Sequence, residues 1–342
     1  MRFSQLFVLS LASLISAHTD IISRCREVGF NKFADQLEMF PDIVKRINER
    51  SDTRVWAVPD HQVIAAMGNN TKIHKRSANT VSSQLNHDPP SPSMRRRTGS
   101  KNMPDSNLQI LYLYLEDPGL VNLGPGQPGR FISKFTGSVG NTEATYSVSS
   151  GMGATTSQNK GPYKFDKGVI YGVEDWFTLP EDWSTSIKNE KNANKFYKNV
   201  VRQGLEPKFD KTPACTVFAP IDSKRYKNWI DVRKHIICGF LGHSPALMPG
   251  TTYTSMAGTP LKITWGSDGI RRVNGQKFLS SDIITRNGVL HMIEAAEDMT
   301  MSTTDTTDTA VTMTTETNGV IINVGVRIDA VQGKIDGFTF LD

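Results

Sequence analysis

The sequence predicts an α+β protein built from two tandem domains of one kind, and three observations carry that expectation. The chain has 342 residues, room for about two domains at roughly 150 residues each. Two short motifs recur in the same order, as a duplicated domain requires. Val55-Trp56-Ala57 with Asp60 returns 162 residues later as Val217-Phe218-Ala219 with Asp222, and Gly168-Val169-Ile170-Tyr171-Gly172-Val173-Glu174 returns 120 residues later as Gly288-Val289-Leu290-His291-Met292-Ile293-Glu294. Within each copy the amphipathic helical patterns come first and the alternating strands later, the segregation of an α+β domain. A hydrophobic fraction of 38% with 21% charged residues excludes wholesale disorder, a collagen-like repeat and a polytopic membrane protein.

Taken in order, Met1 and Arg2 precede an apolar run from Leu6 to Ile15, followed by the small residues Ser16 and Ala17. That pattern reads as a secretory signal peptide over 1–17. The run is too short to span a membrane, and no later segment reaches the ~18 apolar residues needed. The first domain is expected over 20–182. Its opening helix pattern, Phe33 to Phe40 running into Ile43, Val44 and Ile47, is broken by Pro41, so two short helices are predicted. Val55-Trp56-Ala57 reads as a buried strand, with Asp60 placed to cap the helix that contains Val63. The second domain is expected over 183–297, with a helix at Phe196 to Val201 and a strand at Val217 to Ala219. Asp222 is then expected to cap Tyr226 to Ile230, and His235 to Leu241 reads as helical. Strand pieces such as Leu261 to Trp265 follow, separated by glycine-containing turns.

The two repeat offsets differ by 42 residues, so the first copy carries extra chain between its motifs. The segment 72–105 is the candidate, a basic insertion with Pro89, Pro90 and Pro92 and almost no apolar periodicity. Its composition predicts disorder. Its seven lysines and arginines against Asp88 and Asp105 give it a net charge of +5, equal to that of the whole chain. The basicity of the protein, with a pI near 9.0, is therefore local to this segment. Arg95-Arg96-Arg97 and Lys75-Arg76 there read as a solvated loop, as dibasic processing sites after Arg76 or Arg97, or as an electrostatic contact with acidic polysaccharide or headgroups. Nucleic acid is not an expected partner, since no aromatics interleave with these charges to stack bases.

The second copy carries Thr216-Val217-Phe218-Ala219-Pro220 with Asp222, then His235, Ala257-Gly258-Thr259-Pro260-Leu261, Val273-Asn274-Gly275 and Asn287-Gly288-Val289-Leu290-His291-Met292-Ile293. In this order, over about 110 residues, these motifs resemble the fasciclin (FAS1) domain family. The first copy is similar through Phe33 to Ile47, Val55 to Asp60 and Gly168 to Val173. Tyr171 stands there in place of His291, and no counterpart of His235 is found near Leu111 to Tyr114. The long first domain looks most like secreted two-domain fungal members.

The resemblance implies two tandem FAS1-like domains, each a twisted β-sandwich or wedge with a packed helical subdomain. It also implies a secreted adhesion or binding protein of the cell surface, cell wall or matrix, or of an acidic compartment on the secretory route such as a vacuole. Such a protein would contact protein or polysaccharide components, or other copies of itself, with no catalytic centre and no cofactor. His235 occupies the place of a receptor-binding motif of animal members, but Lys234 precedes it instead of Tyr. It has two readings, an interaction residue or a buried histidine that orders the local chain. The alternative function is a secreted hydrolase acting on wall polymer.

Other chemistry finds little support. Gly124-Pro125-Gly126-Gln127-Pro128-Gly129 matches a dinucleotide loop literally, but two prolines remove amide donors and a strand pattern follows, so a turn is expected. Gly242-His243-Ser244-Pro245-Ala246 hints at a nucleophile elbow, yet Pro245 disrupts the helix that must follow, and a loop is expected. None of the seven histidines stands at metal-ligand spacing. Of Cys25, Cys215 and Cys238, the pair Cys215 and Cys238 is the expected disulfide, being close in sequence within one domain. Asn69-Asn70-Thr71 is the sole glycosylation sequon, with Asn69 the acceptor. The stretch 298–317 is rich in threonine and reads as an extended linker. In 318–342, Ile322, Val324, Val326 and Ile328 alternate with polar residues as in an amphipathic strand, which either adds to the edge of the second domain or is poorly ordered.

Overall fold

The computed structural model describes residues 19–67, 73–87, 107–137, 145–223 and 229–295, together with the backbone of three strands at 311–317, 320–326 and 339–340. The signal-peptide and Asn69 expectations lie outside the described residues. The chain falls into two units, Met1–Met299 and Thr300–Asp342, and both copies of the repeat lie in the first.

The first copy opens on three short helices, Ile21–Glu27, Asn31–Glu38 and Pro41–Glu49. Phe33, Ala34 and Leu37 recur on one face of the second and are buried. Pro41 begins the third, where its missing N–H costs nothing. Seven strands follow: β1 Thr53–Ala57, β2 Leu85–His87, β3 Leu108–Leu113, β4 Arg130–Gly137, β5 Thr145–Ser149, β6 Thr155–Phe165 and β7 Gly168–Val173. They close into a barrel because β7 returns parallel to β1, with Val55 opposite Ile170 and Trp56 opposite Tyr171.

The second copy repeats the plan with helices Trp183–Asn189, Asn194–Arg202 and Glu206–Lys211. Its strands are β8 Cys215–Pro220, β9 Ile236–Ile237, β10 Thr252–Thr254, β11 Pro260–Trp265, β12 Arg271–Val273, β13 Gln276–Thr285 and β14 Gly288–Ile293. They form a seven-stranded sheet in the order β10-β11-β12-β13-β14-β8-β9. Val217 stands opposite Leu290 and Phe218 opposite His291. The two motifs found as sequence repeats are thus the parallel strand pair of each domain, in identical register. The α+β class holds for both copies. Asn274 and Gly275, both at positive φ, turn β12 back into β13.

One position shows why both copies keep a glycine. A Cβ on Gly168 would overlap the Thr53 carbonyl, and a Cβ on Gly288 would overlap that of Cys215. These are equivalent contacts, since Thr53 faces Gly168 and Cys215 faces Gly288 across the parallel pair.

Several expectations are corrected. The segment 72–105 is not wholly disordered: the helix Ile73–Ser83 and strand β2 lie within it, with Val81 and Leu85 fully buried. Its apolar residues are too sparse to show a period, but Val81 and Leu85 suffice to anchor it. Residues 88–105 lie outside the described residues. Asp60 makes no side-chain cap on the chain that follows it, where the Gln62 and Val63 amides go to the Pro59 carbonyl, and the chain from 224 to 228 after Asp222 lies outside the described residues. Asp60 accepts the amide of Lys32 at 2.8 Å, while Asp222 accepts those of Lys195 at 2.9 Å and Asn194 at 3.1 Å. Each carboxylate caps the second helix of its own domain, across the fold, where the helix start carries positive partial charge. The rest of the Tyr226 to Ile230 expectation lies largely outside the described residues. His235 to Leu241 is not helical: a 3₁₀ turn Val232–His235 runs into β9, because Ile236 and Ile237 pair with β8.

The copies share packing as well as a plan. Ile284 and Val289, from β13 and β14, belong to the hydrophobic core of the first copy. Met152 donates to the Ile284 carbonyl at 3.0 Å, Asn122 to that of Arg286 at 2.7 Å, and Arg286 to that of Glu181 at 2.7 Å. In the C-terminal unit the strands β15 Val311–Thr317, β16 Val320–Val326 and β17 Thr339–Phe340 form a three-stranded antiparallel sheet. The alternation read at Ile322 to Val326 is therefore a strand, and its partner comes from the stretch expected to be an extended linker.

Candidate functional site

Of the site residues named from sequence, His235, Arg76, Cys215 and Cys238 fall among the described residues. His235 is 5% exposed, its Nδ1 donating to the Phe218 carbonyl at 3.1 Å and its ring edge-on to Phe196. Its side chain faces the core, and the structural reading fits that position rather than surface contact. Arg76 falls in the helix Ile73–Ser83, where a processing protease meets hydrogen-bonded rather than extended backbone. Arg97 lies outside the described residues.

Cys215 and Cys238 come together, as the sequence suggested, but as free thiols with their sulfurs 3.7 Å apart. A disulfide holds them at about 2.05 Å. The Cys215 thiol donates to Cys238, and this contact, helped by the charge of Lys208, lowers the exposed Cys238 to about 7. The same contact, with burial, pushes Cys215 upward. Cys25 stays apart, buried and pushed up to about 12.

The Gly242 to Ala246 loop holds the second domain's most constrained polar cluster. Pro245 sits in a single 3₁₀ turn, Ser244–Ala246, so no helix follows Ser244. Asp282 stands in the β13 irregularity at φ 61° and accepts the Ser244 amide at 2.8 Å. His291 is fully buried, its Nε2 donating to the Gly242 carbonyl at 2.8 Å and its Nδ1 accepting the Asp282 amide at 3.3 Å. That pair of contacts fixes the neutral tautomer, and burial lowers its proton affinity. His243 is also buried, 3.9 Å from Asp282 and without a hydrogen-bond partner for either ring nitrogen among the described residues. Desolvation lowers it to about 4, against the opposing pull of Asp282. A nucleophile elbow requires a hydroxyl–imidazole hydrogen bond, and none joins Ser244 to His243 here.

Beside this cluster lies a cleft of about 530 Å³ between the two sheets. The first copy lines it with Ile132, Lys134, Ser147 and Ser149 from β4 and β5, and Thr155 from β6. The second supplies Ser244, Trp265, Arg271, Phe278, Ser281 and Asp282. The Arg271 guanidinium rests over the Trp265 ring at 4.8 Å. No sequence motif announces this cleft, because its residues come from eight separate segments, Leu108 of β3 among them. Among the described residues, no three His, Cys, Asp or Glu side chains gather as a metal ion would need, and no helix is long and apolar enough to cross a membrane.

No family model matches the chain. It is 23% identical over 196 residues to the fasciclin-like arabinogalactan protein elcF of Phaeosphaeria nodorum, a match covering 54% of this chain and 60% of that protein. It is 23% identical over 189 residues to the fasciclin-like arabinogalactan protein CTB11 of Cercospora beticola, covering 51% and 49%. The matches thus span about half to three-fifths of these relatives' lengths. A solved FAS1 domain pair from the insect cell adhesion molecule Fasciclin I aligns over 79% of this chain and 97% of its own, at 11% identity and a TM-score of 0.36, too loosely to bear on the reading. The ordered motifs, their recurrence as paired parallel strands in both domains and the two fungal matches make the chain similar to the fasciclin-like proteins of the FAS1 family.

Proposed function

We propose that the protein is a secreted binding protein of the cell surface, cell wall or matrix, acting by adhesion through its paired domains rather than by covalent chemistry. The observation that carries this reading is the use to which the motif residues are put. His235, Asn274, Asn287 and His291 are all buried, and their polar atoms bond backbone carbonyls and amides that hold strands and turns in place. The matched fungal proteins are named fasciclin-like arabinogalactan proteins, in keeping with export. The apolar leader and the threonine-rich stretch support the same route.

The test is co-sedimentation of the purified full chain with wall and membrane fractions. Saturable association with either fraction is the expected result. A chain that stays in the supernatant at every concentration overturns the reading.

A further inference from the structure

We propose that the seam between the two domains loosens in acid, through protonation of His243. This property does not depend on the binding function proposed above.

His243 lies where the Gly242 to Ala246 loop of the second domain meets the first. The 3₁₀ turn Ser244–Ala246 packs against β3, and Ser244 lines the inter-sheet cleft together with Leu108 and Ile132 of the first domain. The imidazole is 1% exposed, and neither of its nitrogens has a hydrogen-bond partner among the described residues. Arg130, at the start of β4 in the first domain, is a second buried group incompletely satisfied. Its guanidinium overlies the Tyr112 ring of β3 at 5.0 Å and donates to Gln127 at 2.6 Å, but its Nε is buried without a partner among the described residues. Covering two such groups costs free energy that the apolar packing of the seam must offset.

The ring cannot swing out by itself, because the chain on both sides of it is pinned. The Gly242 amide donates to Thr216 Oγ1 at 2.7 Å, and the Gly242 carbonyl accepts from His291 at 2.8 Å. The Ser244 amide donates to Asp282 at 2.8 Å. A charged ring therefore reaches water where the first domain draws back.

The groups around it decide the sign. Asp282 of β13, with Oδ1 3.9 Å from Nδ1, favours a proton on the ring, but that oxygen already accepts the Ser244 amide. Burial opposes the proton most, and the charges of Arg130 on β4 and His291 on β14 oppose it too. Tyr112 on β3 lies under Arg130, and Arg271 acts on His291. The two bonds of His291 lie within the second domain, so they survive a parting of the seam. His243 is held near 4 while covered and titrates at 6.5 in water, so the parted form binds the proton more tightly and gains population as the pH falls through that window.

The test is amide hydrogen exchange of the full chain at pH 7 and pH 5, corrected for the intrinsic pH dependence of exchange. The Met152 and Asn122 amides, bonded across the seam to the Ile284 and Arg286 carbonyls, should lose protection on the order of twentyfold. The Trp56 and Cys215 amides, bonded to Gln84 and Asn287 each within one domain, should keep theirs. His243→Met should abolish the selective loss at the seam, and if that variant fails to fold, His243→Leu takes its place. Unchanged protection at Met152 and Asn122, an equal loss at all four amides, or a selective loss that persists in the variant overturns the proposal.

Discussion

Gln84 and His235 occupy the same position in the two domains. Gln84 Nε2 donates to the Trp56 carbonyl at 2.8 Å, and His235 Nδ1 donates to the Phe218 carbonyl at 3.1 Å. Trp56 and Phe218 are themselves equivalent, each stacked on the residue opposite it, Tyr171 at 4.8 Å and His291 at 5.6 Å. The residue after each donor begins the short strand that pairs with the central one, Leu85 against Val55 and Ile236 against Val217. His235 is therefore half of a paired structural device whose other half is an amide.

That equivalence predicts the behaviour of substitutions. His235→Gln should retain the bond and cost under about 1 kcal/mol, whereas His235→Ala leaves a buried carbonyl short of a donor and a void, costing about 2–3 kcal/mol. Urea unfolding of the two variants checks the difference. Equal losses would mean that the ring's packing on Phe196, and not its hydrogen bond, is what the site requires.

The cross-fold caps should behave alike in both domains. Asp222→Ala removes the acceptor of two amides at the start of Asn194–Arg202 and should cost about 1–2 kcal/mol. Asp60→Ala should cost somewhat less, since one close amide bond is lost there. Because the acid sits far from the helix in sequence, amide exchange at Lys195 should accelerate in Asp222→Ala, while exchange at the helix end near Arg202 changes less.

Gly288→Ala should be far more damaging than an ordinary strand substitution. The added methyl meets the Cys215 carbonyl across the parallel pair, so β8 and β14 must separate or shift. A loss of roughly 3 kcal/mol or more is expected, in the range of severe overpacking. Expression yield and thermal midpoint report it, and Gly168→Ala should reproduce the effect in the first domain.

His243 gives the fold a specific acid sensitivity. Its folded-state value is near 4 against 6.5 in water, so between those limits the unfolded chain binds a proton that the folded chain refuses. Stability is whole above pH 6.5 and falls as the pH drops toward 4. At ~1.4 kcal/mol per unit, the loss is on the order of 3 kcal/mol. The same direction holds for His291. His243→Met removes the titrating group without a large change of volume. The fall in melting temperature between pH 7 and pH 4.5 should be smaller in this variant than in the parent chain; an unchanged fall would place the sensitivity elsewhere.

Cys238 should be the first thiol to react near neutral pH. Its thiolate attacks oxidised glutathione and releases one glutathione thiolate, and Cys215 then displaces the second to close the protein disulfide. Two protein thiols are oxidised and one glutathione disulfide is reduced. Intact-mass analysis should show a loss of two hydrogens, with Cys25 still free. A stable glutathione adduct on Cys238 without closure would show that the 3.7 Å approach cannot contract.

The sequence alone determined the duplication, its α+β order and its central strands, because those depend on short apolar periods and on residues neighbouring one another along the chain. Phe33 and Phe196 announced their helices, Pro41 its break, and the two recurring motifs their strands. What needed several distant segments at once escaped it. Gln84 could not be matched to His235 because eleven extra residues precede it and thirty-one follow before the next motif, and an amide and an imidazole look unrelated until both are seen reaching the same carbonyl. Asp60 and Asp222 were legible as helix caps, but the choice of helix was made by tertiary packing, which brings a distant helix start within reach of each carboxylate. The cleft, with Asp282 held at positive φ against Ser244 and Lys134 lining it from the other domain, exists only where two sheets meet. Local sequence sets what each segment prefers to be, and only the packed chain decides which polar groups come to share a space from which water is excluded.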